Sequence, residues 1–287
     1  MKLHDMFTGD KTVFSFEIFP PKRNDPVEKV FDTIEKLADL KPAFISVTYG
    51  AGGSLADHMT IAIASAIKNV YHTETAAHLT CVNSTKADID EAIRQMKEGH
   101  IENILALRGD MVEGQEPCHD FEHASDLAAY IHAGHPEFGI SGACYPEGHP
   151  QSPDVVSDII NLKKKVDAGA SHLVSQLFFD NQMFYDFRDK ARIAGIDVPI
   201  EAGIMPVINA AQIEKMVSMC GASLPAKFSR MMAKYGDNKE AMRDAGIAYA
   251  VDQIVDLIAH GVDGIHLYTM NNPYVARRIT ESIRSLL

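Results

Sequence analysis

Short runs of β-branched and aromatic residues alternate along this chain with longer stretches whose apolar residues recur at three- and four-residue spacing. The short runs predict strands over Val13–Phe19, Phe44–Thr48, Ala76–Cys81, Asn103–Leu107, Gly139–Tyr145, His172–Leu177, Ile200–Ile204 and Gly264–Tyr268. The longer stretches predict helices over Val27–Leu40, His58–Tyr71, Lys86–Glu98, Ser125–Ala133, Asp154–Ala168, Gln182–Ala194, Ala210–Met219, Pro225–Ala233, Lys239–His260 and Pro273–Leu287. Strand–helix alternation argues for βα units and a parallel sheet. The number of strands favours closure into a (β/α)8 TIM-type barrel with an extra helix over an open sheet. Gly99, Gly169, Gly195 and Gly261 each stand at the end of a predicted helix, where a left-handed residue closes the last turn with least strain.

No linker, low-complexity tract or composition shift divides the chain, so residues 1–287 are expected to form one barrel domain. With 46% hydrophobic residues, the chain can build its core without disulfide or metal staples. Cys81, Cys118, Cys144 and Cys220 form no C-x-x-C pair and read as reduced thiols. The net charge of −12 disfavours nucleic acid and anionic membrane as partners. It also means that an anionic ligand must be held by a few local cations or helix N-termini. The opening residues lack the apolar run of a signal peptide and no stretch reaches membrane-spanning length, so a soluble, cytoplasmic protein is expected.

In barrels of this kind chemistry gathers where strands end. The predicted ends here carry Glu17, Thr48, His78, Arg108 with Asp110, Tyr145, Gln176, and Tyr268 with Thr269. Any one of these is unremarkable, because strands commonly end in polar residues; the set converging on one mouth carries more weight. The absence of a lysine at any predicted strand end argues against a Schiff-base aldolase. Cys118, His119 and His123 cluster in a polar loop without partners at ligand spacing, so no metal is expected. Gly50-Ala51-Gly52-Gly53 has Leu55 where a dinucleotide fingerprint needs its third glycine, and reads as a βα loop at the mouth.

Nine segments in order carry a stronger signal: FSFEIFPP (Phe14–Pro21), SVTYGAGG (Ser46–Gly53), AAHLTC (Ala76–Cys81), LALRGD (Leu105–Asp110), ACYPEGHP (Ala143–Pro150), NLKKKVDAGA (Asn161–Ala170), SQLFFD (Ser175–Asp180), GIMPV (Gly203–Val207) and HLYTMN (His266–Asn271). From about residue 12 onward the chain resembles the bacterial-type 5,10-methylenetetrahydrofolate reductase family. The resemblance implies a cytoplasmic FAD-dependent barrel, an oxidoreductase that reduces 5,10-methylenetetrahydrofolate to 5-methyltetrahydrofolate. NADH or NADPH would be the electron donor in a ping-pong scheme that feeds one-carbon metabolism and methionine biosynthesis.

Carried over by position, the resemblance makes Glu17 the catalytic acid that assists protonation of nitrogen 10 and opening to an iminium, which takes hydride from the flavin. Asp110 would lie beside flavin and pterin and stabilise the cation. Gln176 would hydrogen-bond the folate head group and, in turn, the nicotinamide; Gln212 would contact substrate and Thr48 the nicotinamide nucleotide. The positions matching FAD contacts are Tyr49, Ala51, His78, Arg108, Gly109, Asp110, Ala124, Tyr145, His149, Asp158, Asn161, Lys164 and Lys165. Asp158, Asn161 and Lys165 share one helix face by spacing, whereas Lys163 reads as solvated. Lys164 stands where the family often has arginine, Met216 where a relative has an aromatic residue near the folate tail, and Asn272 where a cation would help hold that tail.

Two other readings stay open at this point. A pterin-using methyltransferase barrel would need no flavin, and a flavin- or folate-binding subunit would take electrons from a partner protein. The resemblance further implies a homo-oligomer, and because the chain ends with the barrel, no regulatory domain is expected. It leaves the choice of nicotinamide donor open.

Overall fold

The computed structural model describes the chain except residues 10, 22–25, 27, 50–53, 112–115, 210–212, 214–215 and 218–219, with residues 54–58 described by backbone alone. Eight strands run parallel and close on themselves: β1 (Val13–Ile18), β2 (Phe44–Val47), β3 (Glu74–Thr80), β4 (Asn103–Leu107), β5 (Gly139–Cys144), β6 (His172–Ser175), β7 (Ile200–Ile204) and β8 (Gly264–Tyr268). Closure is made by β8 against β1, with Ser15 opposite His266 and Glu17 opposite Tyr268. The described helices are α1 (Glu28–Ala38), α2 (Ser54–Asn69), α3 (Lys86–Glu98), α4 (Ala124–Gly134), α5 (Val155–Asp167), α6 (Asn181–Ile193), α7 (Ala226–Tyr235), α8 (Lys239–Ala259) and α9 (Pro273–Ile283). Both α7 and α8 lie between β7 and β8, which makes the extra helix expected from the sequence. The helix expected over 210–219 falls largely outside the described residues. No helix among the described residues is long and apolar enough to cross a membrane.

Local chemistry sets the helix starts. Thr85 accepts from the Asp88 amide at α3, Asp154 from Ser157 at α5 and Asp180 from Gln182 at α6, each satisfying an amide that the helix itself cannot. At α9, Asn272 accepts from the Val275 amide ahead of Pro273. That cap is a structural reason for asparagine where the family comparison looks for a cation.

Because both faces of each strand are covered, residues alternate between two buried environments. Phe14, Phe16 and Ile18 of β1 join the apolar layer shared with Val30, Ile34 and Leu37 of α1. Ser15 and Glu17, between them, face the barrel axis. There the filling is unlike the branched aliphatic layers common in such barrels. Ser15, Ser46, Ser141, His172, Glu201 and His266 are all buried on the axis, with Glu17 and His78 nearer the mouth. At the opposite end Leu3, on the short turn Leu3–Met6, packs with Val13, Phe44 and Ala76, and Phe7 stacks on His172 at 4.9 Å. Gly264 opens β8 at this floor; a Cβ there would stand 2.8 Å from Glu201 Cγ and 3.0 Å from the Phe7 ring.

The loop glycines differ in part from expectation. Gly169, Gly195 and Gly261 take positive φ, whereas Gly99 has φ −79° and the left-handed residue is His100, at φ 58°. Gly99 serves a close approach instead, since a Cβ on it would stand 3.1 Å from Ser65 on α2. His100 is steadied by its contact of 3.2 Å with the Asn69 side-chain oxygen.

Candidate active site

Glu17 is second to last in β1, and only 7% of its surface is exposed. Its Oε2 lies 3.4 Å from His78 Nε2 and 3.5 Å from His266 Nε2. His78 sits inside β3, not at its end, and its Nε2 carries no hydrogen bond among the described residues despite that proximity. Burial pulls its imidazole down to about 4, outweighing the Glu17 carboxylate, which acts the other way. His78 is therefore neutral near pH 7. No lysine or arginine pairs with Glu17 among the described residues, so the strand-end salt bridge that would make it structural is absent there.

The backbone around Glu17 is held by β8 and the residues after it. Thr269 Oγ1 donates to the Glu17 carbonyl at 2.6 Å, and Asn271 exchanges two hydrogen bonds with the Phe19 backbone, at 2.8 and 2.9 Å. Met270 and Asn271 adopt left-handed φ of 51° and 54° to make this turn. Tyr268 reaches across the mouth to donate to the Ser175 carbonyl at 2.6 Å. That crossing requires glycine at 203, where a Cβ would sit 2.7 Å from the tyrosine oxygen.

A second group gathers over β4 and β5. Arg108, just past β4, donates to Gln151 Oε1 at 2.6 Å, and Gly109 follows at φ 85°. Tyr145 meets His149 edge-on at 4.5 Å, and burial pushes its phenol up to about 12. His149 Nδ1 accepts from the Gln151 amide, leaving its Nε2 as the protonated nitrogen when the ring is neutral. Lys165, from α5, lies over Gly142 and donates to the Ala143 carbonyl at 2.6 Å; burial lowers its pKa. Asp158 accepts from Ser152 at 2.8 Å and is close enough to act on the charges of both Lys165 and His149.

Neither Arg108 nor Lys165 forms an ion pair with a carboxylate among the described residues. In a protein of net charge −12, two such cations, both close enough to act on His149, suit an anionic ligand such as a cofactor pyrophosphate. Lys163 by contrast pairs with Asp167 on the solvent side, and Lys164 is exposed and reaches Asn161 at 3.2 Å. Lys164 therefore stands apart from the half-buried Lys165.

The remaining expected positions fall around these groups. Thr48 is buried one residue past β2, with Tyr49 half-buried beside it. Asp110 is exposed at the mouth, and it adds to the burial that raises the Cys220 thiol. Ala124 opens α4. Gln176 follows β6; its side-chain oxygen accepts from the Leu177 amide at 2.8 Å, and its NH2 has no partner among the described residues. Ala51, Gln212 and the glycines 50, 52 and 53 lie outside the described residues.

Reading strand ends alone misses the axis residues Ser15, Glu201, His172 and His266. The signal that could have found them is polar residues two apart in otherwise apolar strands, as in Ser15/Glu17 and His266/Tyr268.

Against known proteins, the family model "Methylenetetrahydrofolate reductase" matches residues 2–284. The 5,10-methylenetetrahydrofolate reductase of Escherichia coli K12 is 37% identical over 269 residues, covering 94% of this chain and 90% of that one. Methylenetetrahydrofolate reductase (NADH) 1 of Arabidopsis thaliana is 40% identical over 284 residues, covering 94% of this chain but 48% of that protein. This chain thus spans about half the length of the plant relatives that it matches. Among solved structures, a Clostridium thermocellum protein that binds two copies of 5-methyl-5,6,7,8-tetrahydrofolic acid shares the fold over the whole of both chains, with a TM-score of 0.69 at 12% identity. A Coxiella burnetii dihydropteroate synthase in complex with pteroic acid covers 96% of this chain and 94% of its own, with a TM-score of 0.53 at 12% identity. With its family match spanning residues 2–284 and its bacterial relatives aligned over most of both lengths, the chain belongs to the methylenetetrahydrofolate reductase family.

Proposed function

We propose that this chain reduces 5,10-methylenetetrahydrofolate to 5-methyltetrahydrofolate with FAD as cofactor and NADH as electron donor, working as one catalytic domain in the cytoplasm. The observation that carries the reading is a buried carboxyl group, Glu17, held at the barrel mouth between two imidazoles, with no lysine or arginine paired to it among the described residues. Family membership supports the folate, and the names of the plant relatives specify NADH. Arg108 and Lys165 would hold the FAD pyrophosphate, with Tyr145, His149 and Asp158 around it. When bound, FAD supplies the hydride transfer that links donor and folate.

The residues of the chain do the rest. Glu17 gives a proton to the folate nitrogen that must leave the methylene carbon, breaking its own O–H bond as an N–H bond forms, and is left as a carboxylate. Asp110 offers negative charge to the cation that results. Gln176 offers its side-chain NH2 to whichever planar ring occupies the mouth, so the folate and the nicotinamide use one pocket in turn.

An anaerobic absorbance spectrum of the purified protein tests this directly. A flavin band bleached by NADH and restored by methylenetetrahydrofolate is the expected result. Bleaching by dithionite alone, with recovery on folate, would replace NADH by another donor. No flavin after reconstitution would overturn the reading in favour of a flavin-free methyltransferase.

A further inference from the structure

Below Glu17 the barrel axis holds a chain of polar contacts that the reaction as proposed does not use. Ser15 Oγ donates to Glu201 Oε1 at 2.7 Å and lies 2.6 Å from His266 Nδ1. His266 Nε2 faces Ser46 Oγ at 3.3 Å and Glu17 Oε2 at 3.5 Å. Glu201 Oε2 in turn stands 3.1 Å from His172 Nε2 with no hydrogen bond between them, and His172 Nδ1 lies 2.8 Å from Ser141 Oγ. Glu201, His172 and His266 are each no more than 1% exposed. These groups come from six strands, and the link from Ser15 to Glu201 joins positions 186 residues apart.

The proton count of a serine decides the direction of the chain. A hydroxyl has one hydrogen, and Ser15 gives it to Glu201 Oε1, which accepts it. Towards His266 the same hydroxyl must then accept, so Nδ1 carries the hydrogen and Nε2 of the neutral ring carries the lone pair. That lone pair points to Ser46 and Glu17. An ionised Glu17 would set its oxygen against it, whereas a protonated Glu17 offers it a hydrogen. His78, the other imidazole near Glu17, is not aligned to donate to it.

We propose that Glu201 and Ser15 are positioning residues that fix His266 as its Nδ1–H tautomer, so that its Nε2 lone pair holds Glu17 in the protonated form from which it gives its proton. The proposal rests on the reading of Glu17 as the acid, and deepens it by naming what loads that acid. Charged and titratable groups face His266 from every side that matters. Glu17 comes from β1, His78 from β3, His172 through Glu201 from β6 and β7, and Tyr268 edge-on at 5.5 Å along β8 itself. From β2, Phe44 stacks on the ring at 5.9 Å and shields it. The remote carboxylate Glu201 thus sets the polarity of the hydrogen-bond chain, with the serine passing it on. After proton transfer, the new Glu17 carboxylate faces the same lone pair, which favours taking up the next proton.

The test combines a readout of the ring with a readout of the chemistry. Nitrogen-15 NMR of histidine-labelled apoprotein, with the His266 signals identified by their loss in His266→Asn, reports the tautomer without flavin or turnover. The wild type is expected to show Nδ1–H with an unprotonated Nε2, and Ser15→Ala and Glu201→Gln are each expected to mix the tautomers. In rapid-mixing experiments on the FAD-loaded enzyme, both variants should slow folate-dependent reoxidation about tenfold near neutral pH, recovering as pH falls. Flavin reduction by NADH should keep its pH profile, and the double variant should lose no more than the worse single one. A wild-type His266 protonated on Nε2, or on both nitrogens near pH 7, would overturn the proposal. So would equal losses in the two half-reactions of Ser15→Ala, the smaller change, because that is the mark of a merely structural role. If the wild type does not reoxidise with the folate at all, the reading of Glu17 as acid falls, while the tautomer still decides how the axis is wired.

Discussion

At the scale of single residues, the molecule separates groups that look alike in the sequence. Lys163, Lys164 and Lys165 are consecutive, yet one pairs with Asp167, one is exposed, and one is half-buried over Gly142 against a backbone carbonyl. Replacing Lys165 by Met keeps the stem volume and removes the charge. FAD binding, followed by quenching of flavin fluorescence, should weaken about tenfold or more, the worth of one hydrogen bond to a charged group. Glu17→Gln should keep FAD bound and reducible by NADH while folate-dependent reoxidation falls about 10²- to 10⁴-fold, the span expected for a lost general acid. His78 makes a prediction about stability. As pH falls through 6.5 the unfolded chain gains a proton on this imidazole, which the folded protein refuses until about 4. Stability is therefore lost on acidification across that window, by on the order of 3 kcal/mol at most. Urea midpoints near pH 7.5 and near pH 5 should differ less in His78→Gln than in the wild type.

At the scale of elements, caps and turns carry much of what could be read in advance. The bounds of α3 agree with the sequence-based expectation because Thr85 and Asp88 hydrogen-bond each other's amides at its start. Thr85→Ala should cost about 1 kcal/mol in urea unfolding without changing FAD binding. Strand existence was equally legible, since runs buried on both faces leave a dense apolar signature. Glu17, Arg108, Tyr145 and Gln176 were legible as candidates because polar residues at successive strand ends stand out against those runs. What was hidden is partnership. Nothing near Ser15 in the chain points to Glu201, and a serine inside FSFEIF reads as a minor interruption of a buried strand. His100 was hidden for a related reason. A Gly-His pair at a helix end suggests glycine as the left-handed residue, and only the approach of Ser65 on the neighbouring helix reserves Gly99 for contact.

At the scale of the whole molecule, the barrel has two unlike ends. One carries Glu17, Arg108, Gln176 and Tyr268, and the other is stoppered by Leu3, Phe7 and Phe44. The stopper has a kinetic consequence. With apolar side chains packed at the floor, the filled axis has its polar groups nearest solvent on the mouth side. If Glu17 gives up a proton as proposed, its replacement would come through the mouth. Recharging the acid and releasing the methylated folate would share one gate, and turnover in heavy water would slow at the step where the product departs.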